Sequence, residues 1–361
     1  MVIRFSKKIV MIIFFISSTI FAQEKFNQLD EKGNKHGPWK GVYEDTKYTK
    51  YEGRFEHGKE VGVFNFYDNT KVKKIIATRD FTANDGSCYT IFYNGKFKVS
   101  EGKLVNKVYE GEWKFYHLKS DTIMNVENYK KGKLHGTKKV FYNTGLLAEE
   151  SNYKEGLKEG PYKRVAENGV VLEESNYKNN EYEGSAIFRE AAGDKYSTGQ
   201  YKNGKSVGKW KFYKNNKISS EREYINLCNK EYLNQGWFYD NQGKIIKDKS
   251  NYFQIIDKKK VYKKNENIVF HVKYHSMWEK QSLSSAIIGA EINDIFCNMK
   301  EVKLDSILSR EHLLKFNFIF SKSGNKKIRG YIREFGFIEE VKDDFVFQER
   351  KVYFDIPIVI E

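Results

Sequence analysis

The sequence predicts an all-β protein, an elongated meander of about eight repeated β-hairpins of 24 residues, followed by a C-terminal β-sandwich-like domain. Three observations predict this fold. Residues recur with a 24-residue period, each period contains two turn motifs, and the period is lost after residue 245. Periods of this length are typical of repeat architectures, in which each unit packs only on its neighbours.

The period is most regular between residues 128 and 213, where a tyrosine recurs seven residues before a glycine. The phase tyrosines are Tyr129, Tyr153, Tyr177 and Tyr201. The phase glycines are Gly37, Gly62, Gly111, Gly136, Gly160, Gly184 and Gly208. The unit around Gly86 matches the motif poorly and is a degenerate repeat. Gly236 marks a weaker last unit, and irregular end units are typical of repeat arrays.

Each unit contains two turn motifs. Residues 154–156 read Lys-Glu-Gly, and residues 142–145 read Tyr-Asn-Thr-Gly. Glycine and asparagine readily adopt the positive φ that tight hairpin turns need. The segments between the turns are rich in Tyr, Phe, Val and Thr, which is typical of strands. Since no unit has room for a helix as well, residues 23–245 are predicted to form an up-and-down array of β-hairpins.

A two-residue turn at Glu155 and Gly156 predicts that Tyr153 pairs with Lys158 and that Gly160 lies on the same face. Aromatic residues then recur on this face, where they are expected to form a core. They are Trp39, Phe64, Trp113, Tyr162 and Trp210, and, two residues further on, Phe66, Phe115, Phe188 and Phe212. Glycine weakens a strand interior, so we expect the Tyr153 ring to cover the bare backbone of Gly160.

The motif Tyr-Lys-x-Gly-Lys-x-x-Gly, followed by Trp-Lys-Phe-Tyr and Asn-Gly, resembles the MORN repeat, and most closely a bacterial variant grouped with antitoxin-like repeat proteins. The resemblance covers residues 34–245 and is weakest around Gly86 and Gly236. It implies a twisted hairpin sheet that serves as a scaffold or as a membrane-binding or protein-binding surface. It implies no catalytic residue.

Residues 1–22 have the form of a secretory signal peptide. Three basic residues precede an apolar run at residues 9–21, and Ala22 is a suitable cleavage residue before Gln23. This pattern predicts export to the periplasm, the outer surface or the medium. An uncleaved anchor is the alternative, although the apolar run is short for a membrane span.

The formal net charge of +15 favours attraction to an anionic partner, such as lipid headgroups or acidic glycans. Charges of both signs are interleaved along the strands, which is also typical of a solvated outer face. No nucleic-acid-binding motif is present. The expected partner is therefore a protein or an anionic envelope component, with a membrane surface as an open alternative, and the oligomeric state is left open.

The chain contains three cysteines, Cys88, Cys228 and Cys297. An odd number argues against a disulfide framework, and the spacing matches no zinc signature. We expect buried thiols, because free cysteine behaves as a small hydrophobic residue. An oxidising compartment would also allow a bridge between Cys228 and Cys297, so their state is left open.

After a polar junction at residues 244–251, alternating apolar and polar residues replace the period. The alternating segments are residues 268–274, 313–320, 328–333 and 352–360. Several short strands over residues 252–361 predict a β-sandwich, which by its pattern resembles the immunoglobulin-like modules of cell-envelope proteins. The C-terminal domain of energy-transducing envelope proteins is the alternative, because the last segment resembles its last strand.

No motif for a catalytic, cofactor or metal site is present: there is no P-loop, nucleophile elbow or metalloprotease motif. His271 and His275 share a strand face, but their α-carbons would lie about 13 Å apart, too far for easy joint metal ligation. The sequence favours a non-enzymatic binding or scaffold protein of a bacterial cell envelope. The alternatives are an antitoxin-like partner of a toxin and an enzyme with its site in residues 252–361.

Export is tested by N-terminal sequencing of the protein from the producing cell. The first residue should be at or near Gln23, because the apolar run and Ala22 predict cleavage there. Intact Met1 on soluble cytoplasmic protein would contradict both the export and the envelope context.

Overall fold

The computed structural model describes residues 25–83, 85–278, 282–341 and 344–361. The predicted signal segment and its cleavage residue Ala22 lie outside the described residues. The protein is all-β, as predicted, and the helix described is a single 3₁₀ turn at Lys247–Lys249. No helix in the described part of the chain has the length and hydropathy of a membrane span.

The described residues divide into two compact units, with the boundary between Lys107 and Val108. In the first unit, each strand pairs antiparallel with the next along the chain. The strands are β1 Gln28–Leu29, β2 Lys35–Val42, β3 Thr49–Glu56, β4 Lys59–Tyr67, β5 Ile75–Asp80, β6 Ser87–Asn94 and β7 Phe97–Val105.

The second unit begins with a longer antiparallel meander, in which the two-residue strands β10 and β15 lie between a turn and a bulge. Its strands are β8 Val108–Tyr116, β9 Ile123–Lys130, β10 Lys133–Leu134, β11 Gly136–Phe141, β12 Leu147–Lys154, β13 Leu157–Val165, β14 Val171–Lys178, β15 Glu181–Tyr182, β16 Gly184–Arg189, β17 Lys195–Lys202, β18 Lys205–Lys214, β19 Lys217–Leu227 and β20 Lys230–Phe238.

The second unit ends in two small sheets that share a core, as predicted for a β-sandwich. One sheet has the order β21-β23-β26 and the other β22-β28-β27-β24-β25. Their strands are β21 Tyr252–Ile256, β22 Val261–Tyr262, β23 Asn267–His275, β24 Ser282–Gly289, β25 Asp305–Leu308, β26 Leu313–Ile319, β27 Gly324–Val341 and β28 Asp344–Ile360. Phe270 and Phe316 of the first sheet and Ile332 and Phe354 of the second belong to one buried cluster.

The predicted two-residue turns are confirmed. Glu155 and Gly156 both have positive φ, 51° and 88°, as a type I′ turn requires. Tyr153 pairs with Lys158, which is the predicted register. The same pair of positive φ values occurs at residues 131–132, 179–180 and 203–204.

The expected role of the phase glycines is wrong. All seven have positive φ, between 66° and 97°. At Gly160 the nearest atom to an added Cβ would be the Cβ of Asn152 at 4.0 Å, so no ring covers its backbone. The register shifts here: Ser151 pairs with Tyr162, whereas Tyr153 pairs with Lys158. Two residues along β12 therefore correspond to four residues along β13. Gly160 therefore lies in a bulge whose left-handed backbone favours glycine.

Rings do cover glycines, but at a different repeat position. An added Cβ at Gly53 would overlap the ring of Phe64, and at Gly199 it would overlap the ring of Trp210. Neither glycine has positive φ. These two positions show the ring-over-glycine contact that the sequence led us to expect at Gly160.

The two roles of glycine are separable by mutation. Gly208 has φ +66° and open space around it, so Gly208→Asn should be tolerated and Gly208→Val should cost about 1–2 kcal/mol. Gly199→Ala should cost about 1–3 kcal/mol, because its methyl group meets Trp210. Denaturant unfolding measures all three, with Ser185→Ala as the exposed control. Equal midpoints for the Asn and Val variants of Gly208 would refute the backbone explanation.

The C-terminal sandwich packs against the last hairpin of the array. Cys228, in the turn between β19 and β20, forms a disulfide with Cys297, with a Cα–Cα distance of 4.8 Å. The expectation of buried thiols is thus wrong for this pair and correct for Cys88. The Asn234 side chain bonds the backbone of Tyr353, donating to its carbonyl at 2.8 Å and accepting from its N–H at 2.7 Å.

Loss of the disulfide should reduce the free energy of unfolding by about 2–4 kcal/mol, because it closes a loop with a sequence separation of 69. The measurement compares denaturant unfolding of the parent with that of a Cys228→Ser, Cys297→Ser double variant. Peptide mapping of the unreduced, unfolded parent should show alkylation of Cys88 alone. Alkylation of all three cysteines would contradict the bridge.

Candidate functional site

In the second unit, hydrogen bonds between successive turns connect the repeats from Tyr109 to Gly204. The Gly156 N–H donates to the Leu134 carbonyl at 2.8 Å, and the Gly204 N–H donates to the Tyr182 carbonyl at 2.9 Å. These bonds join residues 22 positions apart, nearly one period. Successive turns thus form a continuous ladder along one side of the sheet.

The residue before a phase glycine strengthens this ladder with its side chain. The Glu110 carboxylate accepts a hydrogen bond from the Lys131 N–H at 2.7 Å, and Glu183 accepts one from the Asn203 N–H at 2.9 Å. Glu159 contacts the Asn179 N–H in the same way at 3.1 Å. Gly160 and Gly184, which follow two of these glutamates, have left-handed backbones and lie where the strand pairing is irregular.

The aromatic face of the array, here called the ring face, alternates large and small side chains. Phe188 and Phe212 lie on either side of Ser197, and Ser220 lies between Phe212 and Phe238. A serine between two rings leaves room that a larger residue would fill. The predicted aromatic core is confirmed for several of its members, since Phe64, Trp113, Tyr162 and Trp210 are buried.

Carboxylates are buried in the ring face, where hydroxyl groups and cations satisfy them. Glu173 accepts hydrogen bonds from Tyr182 at 2.8 Å and from Ser175 at 2.9 Å. The Arg164 Nε lies 3.6 Å from its other oxygen. Burial and its contacts with Tyr177 and Glu173 raise the pKa of Tyr182, which therefore stays a neutral donor.

An open cavity of about 520 Å³ lies on the ring face, within the volume range typical of ligand sites. Its aromatic lining consists of Phe188, Tyr196, Tyr201, Trp210, Phe212 and Tyr224. Its charged lining consists of Arg164, Arg189 and Glu190. We take this aromatic cavity as the candidate functional site.

Hydrogen bonds hold the walls of the aromatic cavity in place, while one of its rings is largely exposed. Arg189 lies 2.8 Å from Glu174 and also donates to the Val171 carbonyl at 3.3 Å. The Trp210 indole N–H donates to the Gln200 carbonyl at 3.1 Å. Tyr196, in contrast, is 52% exposed, so its ring is available to a partner.

The sequence located this site only in part. Of the phase tyrosines and glycines, Tyr201 is the one that lines the aromatic cavity. Tyr129 instead bonds Glu127, and the ring of Tyr177 lies 4.5 Å from that of Tyr182. The aromatic pattern pointed to Phe188 and Phe212, whereas nothing in the repeat motif singled out Arg189 or Tyr196.

The histidines and acids of the described residues form no group that could hold a metal ion. His271 lies 3.5 Å from Asp257, and His275 stacks on Tyr252 with 4.4 Å between ring centroids. The two histidines therefore have separate contacts.

Two polar clusters of the C-terminal sandwich were not visible in the sequence. The fully buried Glu334 accepts hydrogen bonds from Tyr274, at 2.6 Å, and from Ser276. Elsewhere, Ser284 Oγ lies 3.1 Å from His312 Nδ1 and 2.7 Å from Ser309 Oγ. No sequence motif marks either cluster, because β-sheet pairing brings its residues together.

Comparison with protein-family models and with curated proteins gives no match to this chain.

Proposed function

We propose that this chain is a non-enzymatic binding protein of a bacterial cell envelope, and that its repeat array binds a partner protein at the aromatic cavity. The main observation in support of this proposal is the cavity itself, in which aromatic rings and arginines surround a space of about 520 Å³. Tyrosine, tryptophan and arginine are the residues most enriched at the energetic centres of protein interfaces.

The rigidity of the cavity also supports binding. Its strands are held in register by the turn ladder, and Arg189 and Trp210 are fixed by hydrogen bonds. Side chains that are already ordered lose little conformational entropy when a partner docks. A rigid wall with one exposed ring, Tyr196, is therefore a suitable anchor site.

Two observations support the envelope context. The disulfide between Cys228 and Cys297 is of a kind that persists in oxidising compartments. The segment at residues 1–22 has the pattern of a secretory signal. The resemblance to MORN repeats agrees with a scaffold or binding role.

The proposal is tested by placing a photo-crosslinking phenylalanine analogue at position 196 in the producing cell. A protein adduct is expected from position 196 and not from position 48, where another exposed tyrosine, Tyr48, serves as the matched control. The adduct is identified by mass spectrometry, and the partner is then purified.

Binding of the purified partner should weaken at least about tenfold in Tyr196→Ala, since truncating an aromatic anchor at the energetic centre of an interface costs about 2 kcal/mol or more. Tyr48→Ala should bind like the parent. Equal binding by the parent and both variants would refute the aromatic cavity as the docking site.

A further inference from the structure

The C-terminal sandwich has a second cavity, separate from the array. It opens where β24 ends at Gly289, opposite Arg329, while β27 continues to Gly324 along β28. This end of β27 therefore has a paired neighbour on one side only. The resulting cleft, here called the sandwich cleft, has a volume of about 540 Å³.

One wall of the sandwich cleft is apolar, and charged residues line the rest. Ile288, Phe318 and Phe320 line it, and all three pack against the shared core of the two sheets. Ile328 contributes a further buried side chain. An alkyl chain lying here would extend the core, and each methylene removed from water would stabilise the complex.

One cation of the sandwich cleft has no partner. Lys326 lies two residues before the buried Ile328, so its side chain is on the inward face of the sheet. It pairs in register with Ile358, which is also buried. Among the described residues, no carboxylate forms an ion pair with Lys326. An ammonium group beside an apolar wall is complementary to an anion with an apolar body.

The two neighbouring cations of the cleft, unlike Lys326, have an ion-pair partner. The Lys327 ammonium lies 2.9 Å from Asp355, and the Arg329 guanidinium lies 3.2 Å from the same carboxylate. These two cations thus share one carboxylate as their ion-pair partner, whereas Lys326 has none among the described residues. Asp305 also lines the cleft and pairs in register with Ile288. Because its carboxylate repels an anion, the anionic head group of a ligand is expected at the Lys326 end of the cleft.

We propose that the sandwich cleft binds a single-chain fatty carboxylate, with the alkyl chain on Ile288, Phe318 and Phe320 and the carboxylate on the Lys326 ammonium. This inference is independent of the function proposed for the aromatic cavity. The chemistry follows from one unpaired cation at the end of an apolar wall.

The test measures binding of dodecanoate and of neutral dodecanol to the full-length protein by isothermal titration calorimetry, below the concentrations at which they aggregate. Lys326→Gln should weaken dodecanoate binding about tenfold or more, because a hydrogen bond to a charged group is lost. It should leave dodecanol binding unchanged. Phe318→Ala should weaken both ligands, because it shortens the apolar wall.

The matched control is Lys315→Gln, which removes the same charge from an exposed position on β26. It should bind both ligands like the parent. Absence of dodecanoate binding to the parent would overturn the inference. Equal dodecanoate affinity in the Lys326 and Lys315 variants would also overturn it, because binding would then not depend on the unpaired cation.

Discussion

The array depends on a local constraint that recurs in each regular repeat, a two-residue turn followed by a bulge at a glycine. The turn fixes the register at Tyr153 and Lys158, and the bulge at Gly160 then shifts it. This geometry lets glutamates such as Glu159 bond the backbone of the following turn. Because each turn depends on the preceding one, a defect in the middle of the array should affect more neighbours than one at its end.

The ring face follows from this register. Strands that pair in fixed phase bring residues of equal repeat position into one row, so rings meet small residues across the sheet. Gly199 fits beneath Trp210, and Ser197 separates Phe188 from Phe212. The contact between Gly199 and Trp210 leaves no gap in the ring face. The small side chain of Ser197, in contrast, leaves space that forms part of the aromatic cavity. The candidate site thus arises from the packing of the repeat.

The C-terminal sandwich closes the last strand of the array. A free strand edge is an aggregation hazard, since it offers unpaired N–H and C=O groups to other chains. Here the backbone of Gly236 exchanges two hydrogen bonds of 2.9 Å with that of Asn251, just before the sandwich, and the side chain of Asn234 bonds the backbone of Tyr353. The sandwich is therefore more than an appended module, because it also completes the second unit of the fold.

The sequence by itself determined the all-β class, the hairpin repeat, its turns and its aromatic face, because these are encoded within one 24-residue period. Only the tertiary structure decided why Gly160 is glycine and where a ring covers glycine, since both depend on pairing across strands. It also decided that Cys228 meets Cys297, and that Arg189 and Tyr196 share a cavity with Trp210. Periodicity fixes what repeats, whereas contacts between distant or non-equivalent residues are set by the folded sheets.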